Sequence, residues 1–311
     1  MQVHHSIDAL PPFRNAVITI GTFDGVHAGH RQIIAALKAE AAAIDGETVI
    51  ITFHPHPRKV VYPDVPLQLI NTLAEKTALL ETQGIDHLVV VPFNEAFAAL
   101  DAEAYVSQFL IARFQPHTII IGYDHHFGKG RQGNFKLLED RAATYGYKLI
   151  EIPQHVLDAV EISSTKVRKA LLCGDVATAN KLLGYPFFFS GLVVHGDKLG
   201  RTLGYPTANL QYTDPDKIQL SVGVYAVTAI LDGRILKGML SIGKRPTVNG
   251  LDERVEVNLF DFDEEIYGAA LTIHVHQYLR GQERYPDLEA LKAQLLLDKE
   301  NSLRVLGGLV G

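Results

Sequence analysis

The sequence of 311 residues contains a single cysteine, Cys173, so an internal disulfide and a cysteine-rich metal site are excluded. It also lacks an excess of basic residues: 29 Lys and Arg stand against 35 Asp and Glu, and the formal net charge of -6 offers no basic face to a nucleic-acid backbone. No apolar stretch approaches the roughly 18 residues that span a bilayer, and the first residues lack the pattern of a secretory leader. These absences predict a cytoplasmic protein that binds neither nucleic acid nor membrane.

The apolar content is high enough for two packed cores, because 47% of the residues are hydrophobic and domains average roughly 150 residues. From residue 15 to about 155, short runs rich in β-branched residues alternate with helical patterns. The runs are AVITI, TVIITF, HLVVV, HTIII and YKLIEI. Continuous apolar strands with helices between them predict a parallel, Rossmann-like α/β sheet that is covered on both faces.

The second half of the chain has a different periodicity. After GYPFFFSG, apolar and polar residues alternate in period two, as in VYAVTAIL and RVEVNLFDF, and Asp232-Gly233 is placed as a hairpin turn. Only the last stretch, DLEALKAQLLLDKENSLRVL, has the pattern of a helix, which would close one mouth of a small barrel. We therefore predict an α/β domain over residues 1–184, and an antiparallel β-barrel domain with a terminal helix over residues 185–311.

Two glycine-containing segments imitate nucleotide-binding motifs. Residues 238–244, GMLSIGK, have the spacing of a P-loop, but Arg245 replaces the Ser or Thr that binds magnesium, and MLSI has the pattern of a strand. Residues 127–134, FGKGRQGN, satisfy G-x-G-x-x-G, yet the glycines begin several residues beyond the preceding strand instead of directly after it. Neither motif is favoured, although the lysine and arginine of the second segment make it a candidate anion-binding loop.

A histidine pair stands where the first apolar strand gives way to a helical pattern: His27 and His30 in GTFDGVHAGH, residues 21–30. Two ordinary surface histidines are one interpretation. A zinc site completed by His54 or His56 is a second, although the general-base glutamate that zinc hydrolases place beside their ligands is missing. A bound phosphate is the third, because a helix N-terminus attracts anions and imidazoles can donate to phosphoryl oxygens.

The phosphate interpretation accounts for the glycines as well, since Gly21, Gly25 and Gly29 let the backbone approach an anion closely. It points to a nucleoside triphosphate. The segment resembles the H-x-G-H signature of the nucleotidylyltransferase superfamily, in which the histidines stabilise charge at the α-phosphate while pyrophosphate leaves. The resemblance implies that His27 and His30 are catalytic. It also implies nucleotide binding by four other residues of the segment: Gly21, Phe23, Asp24 and Gly29.

A second element of that superfamily, S-S-T-x-x-R, occurs further along the chain. Ser163, Ser164 and Thr165 are followed by Arg168 at the start of another helical pattern. Alone, this pattern is no more than a helix cap. Together with the histidine motif, it implies that Ser164, Thr165 and Arg168 hold the departing phosphates with hydroxyl groups and a guanidinium.

The barrel half carries a third segment, HGDKLGRTLGYPTANL, at residues 195–210. Its composition alone is that of an irregular surface loop, but the segment is similar to the PTAN element of flavokinases. This similarity implies that Thr207 and Asn209 bind magnesium and the phosphates of ATP. It further implies nucleotide binding by glycines and basic residues of the loop: Gly196, Lys198, Gly200 and Arg201.

Glu256 lies in RVEVNLF, where strand alternation puts it on the polar face. It is either a solvated residue or, as the flavokinase resemblance implies, the base for the riboflavin hydroxyl. Along essentially its whole length the chain resembles the bacterial bifunctional riboflavin kinase/FAD synthetase family. That resemblance implies flavin binding by Gly122, Asp124 and Phe127, whereas His125 departs from the family, which commonly has an aromatic residue there.

The resemblance implies two phosphate transfers that depend on ATP and Mg²⁺: riboflavin to FMN in the barrel domain, and FMN to FAD in the α/β domain. Flavoenzymes that receive the FAD would be the protein partners. Two alternatives from other classes stay open at this point. One is a zinc-dependent hydrolase built on the histidines, and the other is a non-catalytic flavin-binding module.

Overall fold

A computed structural model describes residues 1–153, 162–196, 200, 204–247 and 250–308; of residues 244–247 and 250–253 it describes the backbone alone. The chain divides into two compact units, Met1–Ser163 and Ser164–Gly311. The first contains a six-stranded parallel sheet and the second a closed barrel. The predicted fold class is therefore confirmed for both halves.

The first unit is built on strands that all pair in parallel. They are β1 Gln2–His4, β2 Val17–Ile20, β3 Thr48–His54, β4 His87–Pro92, β5 Thr118–Gly122 and β6 Lys148–Ile152. Their order in the sheet is β1-β4-β3-β2-β5-β6. The order reverses between β2 and β5, and ligands of such sheets bind beyond the carboxyl ends of the strands at this switch point.

Apolar side chains cover both faces of the sheet. Along β3, Val49 and Ile51 lie in one hydrophobic cluster and Ile50 lies in another, and all three are fully buried. Successive side chains of a strand point to opposite faces, so a strand buried on both sides has no solvent-facing position. This explains why the predicted strands are continuous apolar runs.

Helices connect these strands. They are α1 Ala28–Ala43, α2 Pro57–Val61, α3 Leu73–Glu81, α4 Glu95–Ala98, α5 Ala102–Ala104, α6 Ala112–Phe114 and α7 Phe135–Tyr145. A π-helical segment, Tyr105–Ile111, lies between α5 and α6. Helix α3 begins with a capping box, in which Thr72 and Glu75 each accept the backbone N–H of the other. These reciprocal bonds fix the start of α3.

The second unit is a closed barrel of six strands in the order β10-β11-β8-β7-β12-β9, in which neighbours are antiparallel. The strands are β7 Phe187–Val194, β8 Ala208–Tyr212, β9 Gly223–Leu231, β10 Arg234–Thr247, β11 Gly250–Leu259 and β12 Ala270–Arg280. Between β9 and β10, Asp232 and Gly233 have φ angles of 49° and 79°, which a type I′ turn requires. The predicted hairpin is confirmed.

Two helices, α8 Ser164–Leu172 and α9 Val176–Leu183, precede the barrel in the second unit. The Asn180 side chain donates to the Val275 carbonyl at 2.9 Å and accepts the Phe187 N–H at 2.7 Å, so α9 is bonded to β12 and β7. The sequence-based division at residue 184 assigned both helices to the α/β domain, because helical periodicity does not reveal which sheet a helix joins. Independent folding of residues 185–311 stays a prediction.

The terminal helix, α10 Leu288–Gly307, packs against β9, β10 and β12. Arg280 at the end of β12 donates two hydrogen bonds, of 2.8 and 2.6 Å, to the carboxylate of Asp298 on α10. The Asp298 side chain is 1% exposed, so this ion pair fixes the helix to the barrel from within. Within the described ranges, no helix has the length and apolar character needed to cross a membrane.

Candidate active sites

The first candidate site is the segment between β2 and α1, residues 21–27, which we call the histidine turn. Phe23, Gly25 and Val26 have positive φ angles of 48°, 92° and 35°. Such angles strain a residue that carries a side chain, but Phe23 and Val26 are each 1% exposed, and their burial in the core holds the backbone in this shape. The shape of the turn is therefore set by the core beneath it.

His27 is the N-cap of α1, because its Nδ1 atom accepts the His30 backbone N–H at 3.3 Å. A ring nitrogen that accepts carries no proton, so a neutral His27 has its proton on Nε2 and donates from that atom. The His27 and His30 rings stack with their centroids 3.6 Å apart and an angle of 10° between their planes. The structure thus brings the two predicted catalytic side chains together at a helix N-terminus.

The His30 ring is enclosed, with its centroid 5.0 Å from that of the Phe23 ring. Burial, followed by neighbouring His27 and the Lys76 cation, lowers the pKa of His30 well below its ordinary value, so the ring is neutral at pH 7. Its Nδ1 atom is buried and has no hydrogen-bond partner among the described residues. A neutral ring with an unsatisfied nitrogen, beside N–H groups that attract anions, suits an arriving phosphate group.

Gly21 and Gly29 stand where a side chain would crowd the rings of this site. A Cβ atom on Gly29 would lie 3.3 Å from the His27 ring, and a Cβ atom on Gly21 would lie 3.1 Å from the Phe23 ring. Both distances are tighter than ordinary van der Waals contact. The glycines therefore let the two rings lie directly against the backbone.

Asp24 is 4% exposed, and its Oδ1 atom accepts the backbone N–H groups of Ile70 and Asn71 at 2.9 and 3.2 Å. These two residues immediately precede the capping box of α3. The carboxylate therefore anchors the histidine turn to the start of α3. A direct contact between Asp24 and a nucleotide stays a prediction.

All of the S-S-T-x-x-R motif except Ser163 lies in α8 of the second unit. Ser164 and Thr165 are its first two residues, and Arg168 follows one turn later on the same helix. Ser164 and Arg168 are half-buried, whereas Thr165 is exposed. Hydroxyl groups at a helix start suit phosphate oxygens, but binding of the departing phosphates by these residues stays a prediction.

The predicted flavin-binding residues follow the end of β5. Gly122 is the last residue of that strand and is buried, whereas Asp124 is exposed. Phe127 is 5% exposed and stacks on Tyr105 with 4.9 Å between ring centroids. A Cβ atom on Gly133 would lie 2.3 Å from the Phe127 ring. Phe127 is therefore a core residue that anchors this loop, and its contact with a flavin stays a prediction.

His125 occupies the position at which the sequence departs from the flavin-synthetase pattern. It is partly exposed, but its Nε2 atom is buried and has no hydrogen-bond partner in the part of the chain that the structure describes. Burial, followed by the charges of His126 and Arg131, lowers the pKa of His125 to about 4. The ring is therefore neutral near pH 7.

The second candidate site lies on β8 and β11 of the barrel. Glu256 and Asn209 are direct partners in the antiparallel register of these strands. The Thr207 hydroxyl lies 3.5 Å from Glu256 Oε2, at the long end of hydrogen bonding, and Arg254 Nη1 lies 3.7 Å from Glu256 Oε1. The structure thus brings together the predicted base and the two predicted magnesium-binding residues.

Thr207 and Glu256 line a cavity of about 360 Å³. Its other walls include Ser241 on β10, Arg280 on β12 and, on α10, the apolar side chains of Leu291 and Leu295. A second cavity, of about 490 Å³, is lined by residues that include His195, Gly196, Asn209, Gln219 and Arg254. One cavity therefore combines a carboxylate with apolar walls, and the other combines polar groups with the glycine-rich segment.

The glycine-rich segment lies against the predicted magnesium-binding side chains. A Cβ atom on Gly196 would lie 2.1 Å from Asn209 Nδ2, and a Cβ atom on Gly200 would lie 3.2 Å from Thr207 Oγ1. Backbone without side chains therefore borders both residues. The other two predicted nucleotide-binding residues of this segment, Lys198 and Arg201, lie outside the described residues.

The donor atoms at this site fit magnesium. Mg²⁺ prefers oxygen ligands and often takes only one or two from the protein, completing its shell with substrate phosphates and water. The Thr207 hydroxyl, the Asn209 amide oxygen and the Glu256 carboxylate supply such atoms.

Among the described residues, no three His, Cys, Asp or Glu side chains gather into a metal-binding group. The zinc-hydrolase alternative therefore has no site in this part of the chain.

Sequence reasoning missed a buried lysine and a buried ion pair that border these sites. Lys76 lies beneath the histidine turn at 7% exposure, although a lysine in the helical pattern of α3 is ordinarily solvated. The Arg280–Asp298 pair borders the smaller cavity. Neither carries a local sequence signal, because their partners lie in distant segments.

The two units define a class of enzyme with two modules, an α/β nucleotidyltransferase module and a barrel kinase module. Family models agree: one described as FAD synthetase matches residues 11–166, and one described as riboflavin kinase matches residues 183–306. The bifunctional riboflavin kinase/FMN adenylyltransferase of Escherichia coli (strain K12) is 37% identical over 299 residues, covering 95% of this chain and 94% of the relative. This chain belongs to the bifunctional riboflavin kinase/FMN adenylyltransferase family.

Two further relatives cover nearly the whole chain. The protein of the same name from Bacillus subtilis (strain 168) is 37% identical, covering 94% of this chain and 93% of the relative. A crystal structure from Streptococcus pneumoniae, described as a macrolide-efflux protein, superimposes with a TM-score of 0.84 at 32% identity, covering 94% of this chain and 95% of that chain. Both modules of the family are therefore present here in the same order.

Proposed function

We propose that this chain catalyses two successive transfers from ATP. The barrel unit moves the γ-phosphoryl group to riboflavin, which gives FMN, and the α/β unit moves an adenylyl group to FMN, which gives FAD and pyrophosphate. The proposal is carried by the presence of two separate sites in one chain. One is a stacked histidine pair at a helix start, and the other is a glutamate that faces an asparagine in a barrel.

In the barrel, Glu256 is the base. Its carboxylate accepts the proton of the riboflavin hydroxyl as the hydroxyl oxygen attacks the γ-phosphorus of ATP, and ADP leaves. The cavity that Glu256 lines combines this carboxylate with Leu291 and Leu295, and apolar walls of this kind suit a flat aromatic ring. The protein contributes mainly position and charge, which dominate phosphoryl transfer.

Thr207 and Asn209 would hold Mg²⁺ together with the phosphates of ATP. When bound, the ion neutralises charge that develops on the phosphate oxygens. The glycine backbone at Gly196 and Gly200 borders both side chains, where a Cβ atom would crowd them. Lys198 and Arg201 of the same segment supply positive charge to the nucleotide in this proposal.

In the α/β unit, a phosphate oxygen of FMN attacks the α-phosphorus of ATP. The bond between the α-phosphorus and the oxygen that bridges to the β-phosphorus breaks, and pyrophosphate is released. Negative charge grows on the α-phosphate oxygens during this step. His27, whose proton lies on Nε2, and His30 donate to those oxygens from the N-terminus of α1. Preorganised donors of this kind stabilise the transition state without having to reorganise.

The remaining predicted residues have the following roles in the proposal. Ser164, Thr165 and Arg168 hold the departing pyrophosphate, and Gly122 and Asp124 border the flavin. Phe127 supports the flavin loop from the core. We further propose a cytoplasmic location, since both reactions consume ATP, and flavoenzymes as the recipients of the FAD.

A single incubation with riboflavin, ATP and Mg²⁺, followed by chromatographic separation, tests the proposal. We expect FMN to form first, and FAD and pyrophosphate to follow. Riboflavin that binds without consumption of ATP would indicate a non-catalytic flavin-binding module. Activity that requires stoichiometric zinc and persists without magnesium would indicate a hydrolase.

A further inference from the structure

A buried lysine lies directly beneath the histidine turn. Lys76 on α3 is 7% exposed, and its Nζ atom donates to the Thr22 carbonyl at 3.0 Å and to the Thr52 hydroxyl at 3.0 Å. The Thr52 hydroxyl, near the end of β3, also donates to the Thr22 carbonyl at 3.1 Å. One side chain from α3 and one from β3 therefore donate to the same carbonyl group of the turn.

The same helix start holds the turn at a second point. Ile70 and Asn71, just before α3, donate their N–H groups to Asp24, while Lys76 donates to Thr22. These two anchor points flank Phe23, whose φ angle of 48° is strained for a residue with a side chain. The strained residue is thus clamped on both sides.

The charge of Lys76 matters as well as its hydrogen bonds. Both hydrogen bonds of the Lys76 ammonium group are to neutral oxygens. Burying a charged group costs free energy unless the charge is paired as well as hydrogen-bonded. The titratable groups that interact with the Lys76 charge are Asp24 in the turn and His30 on α1. The cation contributes to the low pKa of His30, after burial and His27. A buried positive charge here favours an anion at the turn and a neutral His30.

We propose that Lys76 is a positioning residue for adenylyl transfer: its ammonium group fixes the Thr22 carbonyl and thereby holds the histidine turn in the shape that receives the phosphates of ATP. The inference rests on the proposed adenylyl transfer at this turn. Lys76 acts through the turn and through His30, without touching the reacting atoms.

The Lys76→Met variant tests this role, because methionine has an unbranched side chain of similar length but lacks the charge and the hydrogen-bond donors. We expect kcat for FMN adenylylation to fall by about 10²-fold, as for a misplaced reacting group, with a much smaller change in KM for ATP. Riboflavin phosphorylation by the same variant should be unchanged. Lys38→Met is the matched control, since Lys38 on α1 is exposed and its Nζ donates to the Gln83 carbonyl at 2.7 Å, away from the turn.

A milder variant covers the case in which Lys76→Met fails to fold. Thr52→Val removes one of the two acceptors of Lys76 and keeps the side-chain shape, so a smaller loss of kcat in the same direction is expected. If both variants fold, their combination should lose less than the sum of the two effects, since both act on the Thr22 carbonyl.

The pH dependence separates positioning by a cation from simple packing. Burial lowers the pKa of Lys76 to about 8, against the opposing effect of Asp24, so its charge is present below that pH and lost above it. The ratio of wild-type to Lys76→Met kcat should therefore be largest below pH 8 and decrease above it. A flat ratio, or unchanged kcat in folded Lys76→Met and Thr52→Val, would overturn the proposal. If the wild-type chain itself makes no FAD, it is the proposed function that fails.

Discussion

Glu256 and Asn209 face each other on neighbouring strands, yet their substitution should have different consequences. Glu256→Gln removes the base and keeps the shape, so kcat for riboflavin phosphorylation should fall by about 10²- to 10⁴-fold while nucleotide binding is largely kept. Asn209→Ala removes an oxygen ligand and should weaken the use of ATP and Mg²⁺ together. Steady-state kinetics of FMN formation, with ATP and Mg²⁺ varied separately, measures both effects.

Adenylylation of supplied FMN is the internal control for these two variants, because that reaction belongs to the histidine turn and should stay at the wild-type rate. If Glu256→Gln phosphorylates riboflavin at the unmodified rate, Glu256 is a surface residue and the base lies elsewhere.

His30 supports a complementary prediction. Its ring is neutral and partly buried, so His30→Ala removes a donor that is aligned before the transition state forms. Loss of one such donor typically costs about 10²- to 10³-fold in rate. FAD formation should fall by this amount while FMN still accumulates from riboflavin, as followed by chromatography of a time course. FAD formation at the wild-type rate would refute the catalytic assignment of His30.

At the scale of single residues, sequence motifs identify functional residues that are close together in the sequence. They do not identify buried contacts between distant segments. His27 and His30 are three residues apart, and their rings stack in the structure. Lys76 and Thr22 are 54 residues apart, and only the folded chain brings them together. Phe127 was predicted to bind flavin from its motif position, but no local pattern reveals that its ring stacks on Tyr105 in the core.

At the scale of elements, a buried ion pair contributes to the attachment of α10 to the barrel. Asp298→Asn would leave the Arg280 cation buried without its carboxylate, and breaking such a pair typically costs about 3–5 kcal/mol. The Asp298 side chain is 1% exposed and the Arg280 side chain is 18% exposed. We expect a lower urea midpoint for the second unit and loss of riboflavin phosphorylation at a temperature where the wild type is active.

Glu289→Gln is the matched control on the same helix. Glu289 pairs with Lys292 at 3.2 Å, but its side chain is 84% exposed, and surface pairs contribute about 0–1 kcal/mol. Equal stability of Asp298→Asn and Glu289→Gln would show that burial of the Arg280 pair does not hold α10 in place.

Elements were predictable wherever their periodicity reports their surroundings. Strands β2 to β5 are buried on both faces and read as continuous apolar runs, and the hairpin at Asp232-Gly233 follows from the turn that these residues favour. The sequence pattern of α9 does not show which sheet the helix joins. The Asn180 amide that bonds α9 to β7 and β12 is one polar residue in an ordinary helical pattern.

At the scale of the whole molecule, the contribution of α8 and α9 to the barrel can be measured with two fragments, residues 164–311 and 185–311. Each contains the complete barrel and its cavities, so both should fold and phosphorylate riboflavin without the first unit. The shorter fragment loses the hydrogen bonds of Asn180 and the packing of Ala179 and Leu183, which are fully buried. It should therefore be less stable by on the order of a few kcal/mol.

Urea unfolding of both fragments, combined with the assay of FMN formation, checks this expectation. A lower midpoint for residues 185–311 with activity retained would place the functional boundary near residue 184 and assign the two helices a supporting role. An inactive short fragment beside an active long one would move the boundary to Ser163. If neither fragment phosphorylates riboflavin, the barrel depends on the first unit and the two reactions cannot be separated by truncation.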